Sequence, residues 1–213
     1  MDIRPIVLGG FSANCYLLSE GESFVLIDTG RATGLKRLEK ALADAGCRPG
    51  GLRLILLTHG DFDHSGNCAA LRRKYSAPVA VHKDDAGMVE TGDMFWNRKS
   101  GGRLIKKLVN AFFRIELFKP DFTVDDGFDL GLYGIDAKVL HLPGHSRGSI
   151  GVLAGTRDLF CGDLLAGGGK PAMGSIIDDP DAAAASVERL KKLPIRSVYP
   201  GHGKPFSMSD FKF

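Results

Sequence analysis

Residues 52–67, LRLILLTHGDFDHSGN, join a near-continuous apolar run to a loop crowded with imidazoles and carboxylates. An apolar run of this length is the pattern of a strand buried on both faces, which requires covering layers above and below it. His59, Asp61, Asp63 and His64 then stand at the carboxyl end of that strand, where functional loops of layered α/β folds gather. Four such groups within six residues repel one another or lie idle without a cation, and with one they are ordinary ligands. In an extended segment His59, Asp61 and Asp63 point the same way. Gly60 frees the backbone to wrap them around an ion. The alternative is a solvated turn, because such residues also favour turns.

Three further places repeat the pattern. His145 lies in LPGHSRGS (142–149), Asp163 closes FCGD (160–163) and His202 lies in PGHG (200–203). Each follows a predicted strand and has a glycine beside it, where the backbone must approach something closely. The recurrence favours a metal centre over a chance turn. The candidate ligands are therefore His59, Asp61, Asp63, His64, His145, Asp163 and His202.

Outward from these motifs the chain reads as strands and helices in turn. Strands are predicted at 2–8, 15–18 and 23–28, then at 52–57 and 78–81, and later at 135–141, 149–154, 158–162 and 196–199. A helix is predicted over 33–45, with Leu35, Leu38, Ala41, Leu42 and Ala45 on one face and Gly46 to end it. Another runs from after His64 to Tyr75. A third runs to about Lys192, with Asp179 as N-cap and Pro180 at its first position. Residues 84–122 break the rhythm as a helical insertion, and 104–118 within it reads as a basic amphipathic helix. The order suggests an α/β (α+β) domain spanning 1–213, with two sheets and helices on their outer faces.

Composition narrows the function. With 213 residues and 44% hydrophobic content, the chain can bury a full core without disulfides or a structural metal. A net charge of only +3, spread along the chain, argues against a nucleic-acid partner. No apolar run approaches the roughly 20 residues of a membrane span, and the start, MDIRPIVLGGF, lacks the form of a signal peptide. Cys15, Cys47, Cys68 and Cys161 form no CxxC pair and read as buried free thiols, which suits a cytoplasmic setting.

Together these motifs resemble the metallo-β-lactamase superfamily, especially its hydroxyacylglutathione hydrolase (glyoxalase II) branch. NCYLL (14–18), IDTG (27–30), the HxHxDH-like segment 58–64, PGHS (143–146), GD (162–163) and PGHG (200–203) match in order and almost end to end. The resemblance implies a four-layer αββα sandwich of two mixed sheets flanked by helices. It also implies two divalent metal ions, zinc being expected. His59, Asp61, His145 and Asp163 would surround one ion. Asp63, His64 and His202 would surround the other, with Asp163 shared. Asp28 would support the ligand loop by hydrogen bonding. The implied activity is hydrolysis of a small thioester or ester by a hydroxide held between the ions, with Asp63 and Asp163 at the reacting centre.

One position departs from the family: Asp61 stands where a histidine is usual. Its carboxylate has the reach to bind but lowers the charge of the centre by one, which admits iron or manganese. Lys170, in the glycine-rich run 164–175, and Arg147 are candidate contacts for an anionic substrate group. The 84–122 insertion is expected to pack on its own domain, wall the cleft or form a homodimer surface. Its basic helix would at most touch an anionic membrane rather than insert stably. Two other functions fit the residues: a mononuclear iron persulfide dioxygenase using His59, His145 and Asp163, and a catalytically silent metal-bound sensor or partner-binding protein.

Overall fold

The computed structural model describes residues 1–10, 12–99, 103–155 and 157–212, with the side chains of residues 103 and 105 left aside. Strands β1 (Asp2–Val7), β2 (Asn14–Glu20) and β3 (Ser23–Ile27) form an antiparallel meander. Helix α1 (Leu35–Asp44) leads to β4 (Leu52–Leu56), which pairs parallel with β3. Two short helices, α2 (Phe62–Ser65) and α3 (Cys68–Tyr75), carry the chain to β5 (Val79–His82). Helices α4 (Ala86–Thr91) and α5 (Arg103–Phe112) precede β6 (Phe122–Val124), which completes a sheet of order β1-β2-β3-β4-β5-β6.

The second sheet is built from β7 (Ala137–His141), β8 (Ile150–Ala154) and β9 (Asp158–Gly162). A hairpin follows, β10 (Leu165–Gly167) with β11 (Pro171–Met173), and then α6 (Pro180–Lys191). Strands β12 (Ser197–Pro200) and β13 (Phe206–Ser207) complete the order β13-β12-β9-β8-β7. Both sheets are mixed, since β12 runs parallel to β9 while β8 is antiparallel to it.

Side-chain alternation explains the layers. Leu18, Ile27 and Leu56 face Val139, Val152 and Phe160 in a core between the sheets. Their neighbours Leu17, Leu26 and Ile55 face the opposite way, onto Leu38, Leu42 and Leu71 of α1 and α3. On the far side, Leu159, Cys161 and Val198 pack against Ala183, Val187 and Leu190 of α6. The result is the expected α/β/β/α sandwich. Cys15, Cys47, Cys68 and Cys161 are all buried and free, as expected. No helix among the described residues is long and apolar enough to cross a membrane.

Parallel pairing sets up the site. Ile27 lies beside Leu56, and Gly162 beside Pro200, so the loops that follow leave each sheet side by side at one end. Across the sandwich, the Ile150 N–H donates to the Thr58 carbonyl at 2.8 Å and ties the two groups of loops together.

Several local expectations change. Residues 59–63 are not one extended segment, because α2 begins at Phe62 and turns Asp63 and His64 into a helical turn. Alternation therefore accounts for His59 and Asp61 but not for Asp63. The helix expected after His64 and ending at Tyr75 is α3, and a separate turn, α2, takes in His64 before it. Asn67 separates them, spending its side-chain amide on the carbonyls of Thr29 and Arg31. The helix expected over 104–118 stops at Phe112. Beyond it the Phe118 N–H bonds to the Val89 carbonyl and Glu116 pairs with Arg73, contacts that draw the chain out straight.

Candidate metal centre

The sequence-derived candidates come from the ends of four strands, β4, β7, β9 and β12, and a hydrogen bond on the far side of His59, of His64 and of His145 aims each ring inward. Asp28, directly after β3, adopts φ +58°, a left-handed turn that aspartate tolerates better than most side chains. Its Oδ1 accepts from the Thr58 N–H and its Oδ2 from the Thr58 hydroxyl, both at 2.8 Å. The same Oδ2 lies 2.8 Å from His64 Nδ1, which donates to it. His59 Nδ1 lies 3.0 Å from the Thr58 hydroxyl oxygen, and His145 Nδ1 lies 2.7 Å from the Ile176 carbonyl. With Nδ1 donating in all three rings, the neutral form of each presents its Nε2 lone pair to the centre.

Those lone pairs converge. The donor atoms of His59, Asp61 and His145 lie within 4.8 Å of one another, as do those of Asp63, His64 and His202. His59, His64 and Asp163 form a grouping of the same size between them. All seven sequence-derived residues are thus brought together, with Asp163 Oδ1 at 3.2 Å from His64 Nε2 and Oδ2 at 3.5 Å from His202 Nε2. His59 Nε2, His64 Nε2, Asp61 Oδ1 and Asp163 Oδ1 are buried without any hydrogen-bond partner. Native proteins seldom leave buried polar atoms orphaned, and four pointing into one space fit a cation. The donor set, imidazole nitrogens and carboxylate oxygens, suits zinc, iron or manganese.

The electrostatics are those of carboxylates and imidazoles buried against one another. Burial depresses His59 below the usual imidazole range. Burial also opposes charge on His64, yet Asp163 and Asp28 hold it well above that range. Asp163, although buried, is held far below the usual carboxylate range by His64 and by the neighbouring imidazoles. A proton on His64 Nε2 and a cation bound there are alternatives, so binding would displace that proton.

Two glycines have reasons the sequence did not reveal. A Cβ at Gly60 would stand 2.6 Å from the Met88 Cβ, so α4, rather than a need for ligand wrapping, accounts for that glycine. A Cβ at Gly201 would stand 2.2 Å from Asp163 Oδ1 and 2.7 Å from His64 Cε1. The PGHG loop is held from the other sheet. Asn14 Nδ2 donates to the carbonyls of Gly203 and Pro200 at 2.8 and 3.1 Å, and the Tyr16 hydroxyl donates to Pro200 at 2.7 Å.

Above the cluster lies a cavity of about 740 Å³, reached by Asp61, Asp63, His145, Asp163 and His202. Phe62, Met94, Phe95, Val109 and Phe113 supply apolar wall, so the 84–122 segment does line the cleft. It does so through Met94, Phe95, Val109 and Phe113, while Leu104, Leu108 and Phe112 of α5 are exposed. Phe62 and Phe113 stack at 4.1 Å, and the Arg31 guanidinium lies over both rings at 5.4 and 5.8 Å.

Lys170 lies exposed in the turn between β10 and β11, outside the cavity lining. Arg147 borders a separate hollow and sits 3.7 Å from Asp84. Two other arginines line the cavity, Arg31 and Arg98. Arg98 Nη2 is 2.8 Å from Asp61 Oδ2 and 3.2 Å from His145 Nε2. Asp61 occupies the N-cap position of α2 but makes no capping bond, because its carboxylate is turned to this arginine and to His145 at 2.9 Å. Burial opposes its charge, but Arg98 and the imidazoles hold it well below the usual carboxylate range. Neither arginine carries a motif. The only hint was Asp61 itself, a buried extra carboxylate that needs a cation.

Four layers with imidazoles and carboxylates gathered at strand ends define a metal-binding enzyme scaffold. The chain belongs to the metallo-β-lactamase superfamily, whose family model matches residues 8–202. It is 31% identical to the acyl-coenzyme A thioesterase MBLAC2 of Bos taurus, over 92% of this chain and 75% of that one. It is 27% identical to the hydroxyacylglutathione hydrolase GloC of Haemophilus influenzae, over 95% and 91%. Among solved structures it resembles TTHA1623 in a di-iron-bound form, with 31% identity, a TM-score of 0.73 and coverage of 97% and 95%.

Proposed function

We propose that this chain is a binuclear metal-dependent thioesterase whose substrates join an apolar acyl group to an anionic carrier. The observation that carries the reading is the set of orphaned, inward-facing donor atoms at the floor of an apolar cavity. His59, Asp61, His145 and Asp163 would hold one ion and Asp63, His64, His202 and Asp163 the other. Such ions, when bound, supply Lewis acidity and lower the pKa of water to yield a nucleophile at neutral pH.

The chain's own residues do the rest. Phe62, Phe113, Val109 and Met94 offer an apolar wall for an acyl group and keep water from the reacting carbonyl. Arg31 has no carboxylate partner among the described residues, and its place on the cavity rim suits a phosphate or carboxylate of the carrier. The names of the thioesterase and hydroxyacylglutathione hydrolase relatives support a thioester, and TTHA1623 supports iron as an alternative to zinc. Four buried thiols suit a reducing compartment such as the cytoplasm. An open cavity reaching the ligands favours turnover over a silent sensor.

The test is a substrate panel on metal-loaded protein: acyl thioesters of anionic carriers, neutral esters, a phosphodiester and a lactam. Thioesters should turn over fastest. Arg31→Gln should raise KM for anionic carriers by about tenfold, the size of one charge-assisted contact, with neutral esters unchanged. A preference for the phosphodiester or the lactam would overturn the reading.

A further inference from the structure

Arg98 does more than accompany Asp61. Its side chain is only 8% exposed, and its Nη2 reaches both Asp61 Oδ2 and His145 Nε2. His145 Nδ1 faces the Ile176 carbonyl, so Nε2 is the ring atom left for the cluster, and it lies 2.9 Å from Asp61 Oδ2 and 3.2 Å from Arg98 Nη2. That nitrogen stays in this contact with Arg98 and Asp61 or binds a metal ion, never both. Asp61 Oδ2 is held in the same contact, and although Oδ1 is left without a partner, the guanidinium beside the carboxylate repels a dication brought to this end of the cluster.

The loop that delivers Arg98 is pinned on both flanks. Asn97 Nδ2 donates to the Asp84 carbonyl, the Lys99 N–H donates to Asp178 and the Lys99 ammonium pairs with Asp179. Nothing equivalent stands at the other half of the cluster, where among the described residues His202 Nε2 faces only Asp63 and Asp163.

We propose that Arg98 is an internal cation that competes with metal for the Asp61–His145 half of the centre, so that the two halves load unequally. The half formed by Asp63, His64, His202 and Asp163 fills first. The Asp61 half fills only when the guanidinium withdraws. The arginine also explains how a buried aspartate is tolerated where relatives of this type carry histidine: it returns the positive charge that the replacement removes. The inference rests on the metal-centre reading above.

The experiment is equilibrium titration of the metal-free protein with Co(II) and with Zn(II), counting bound ions and following the cobalt visible bands. In the unaltered protein the second ion should bind at least tenfold more weakly than the first. Arg98→Gln, neutral and close in length, should tighten the second ion about tenfold and leave the first unchanged. Arg98→Lys, which keeps the charge, should leave the second ion weak. In an Asp61→His background the Arg98→Gln effect should vanish, because the carboxylate that holds the guanidinium is gone. Circular dichroism of each metal-free variant checks that it is folded. Two equally tight ions in the unaltered protein, or a second ion that Arg98→Gln leaves unchanged or weakens, would overturn the proposal. Binding of no ion at all would overturn the metal-centre reading itself, and this proposal with it.

Discussion

Asp28 shows how one side chain can order a candidate metal centre from behind the inward-facing atoms. Its carboxylate accepts three hydrogen bonds, two from Thr58 and one from His64. Through Thr58 it also orients His59. Asp28→Ala should therefore lower metal affinity about 10–100-fold, the usual cost of losing such a partner, with the sheets intact. Metal titration together with far-ultraviolet circular dichroism checks both halves of that statement. The sequence offered Asp28 through the IDTG segment, and all seven candidate ligands were legible because they cluster in glycine-bearing motifs that follow strands. Arg98 was not legible. It lies in an aperiodic loop far from every ligand motif, and long-range docking rather than local pattern brings it to Asp61.

Among the elements, the strands were easier to read than the helices. Leu17-Leu18, Leu26-Ile27 and Ile55-Leu56 each divide between two cores, which is why these strands read as continuous apolar runs. The helix over 104–118 was overextended because its pattern is periodic beyond Phe112, while contacts of Glu116 and Phe118 outside the helix decide where it ends. Loops at the site are shaped by close approach. Gly201 lets the PGHG loop lie against Asp163 and His64, so Gly201→Ala should displace His202 or Asp163. The expected result is weakening of metal binding by tenfold or more with little change in the thermal midpoint of the metal-free protein. Unchanged metal affinity would show that the loop moves freely.

At the scale of the whole molecule, three packed cores hold the sandwich together and the candidate metal centre sits at one end of them, so the fold should persist without metal. Coupling between them runs through protons. His64, His145 and His202 are all raised above the ordinary imidazole value of 6.5 in the metal-free protein. A raised histidine pKa stabilises the metal-free fold below that value, and the contribution is lost as pH rises through the folded pKa. Metal must displace the same protons, so apparent metal affinity should climb with pH above 6.5 and fall steeply below it. Thermal unfolding should agree, with the stabilisation conferred by metal shrinking as pH drops. A pH-independent metal affinity between pH 5 and about 8, the range over which imidazoles change charge, would contradict this reading.

The most direct test of the central claim is to strip the protein with a chelator, count its residual metal, and measure acyl-thioester hydrolysis before and after adding back Zn(II), Fe(II) or Mn(II). The account predicts negligible turnover when stripped and restoration in proportion to bound ion. It also predicts no restoration in Asp163→Asn, which removes the carboxylate between the two groups of ligands. Undiminished hydrolysis by protein shown to hold no metal would contradict it.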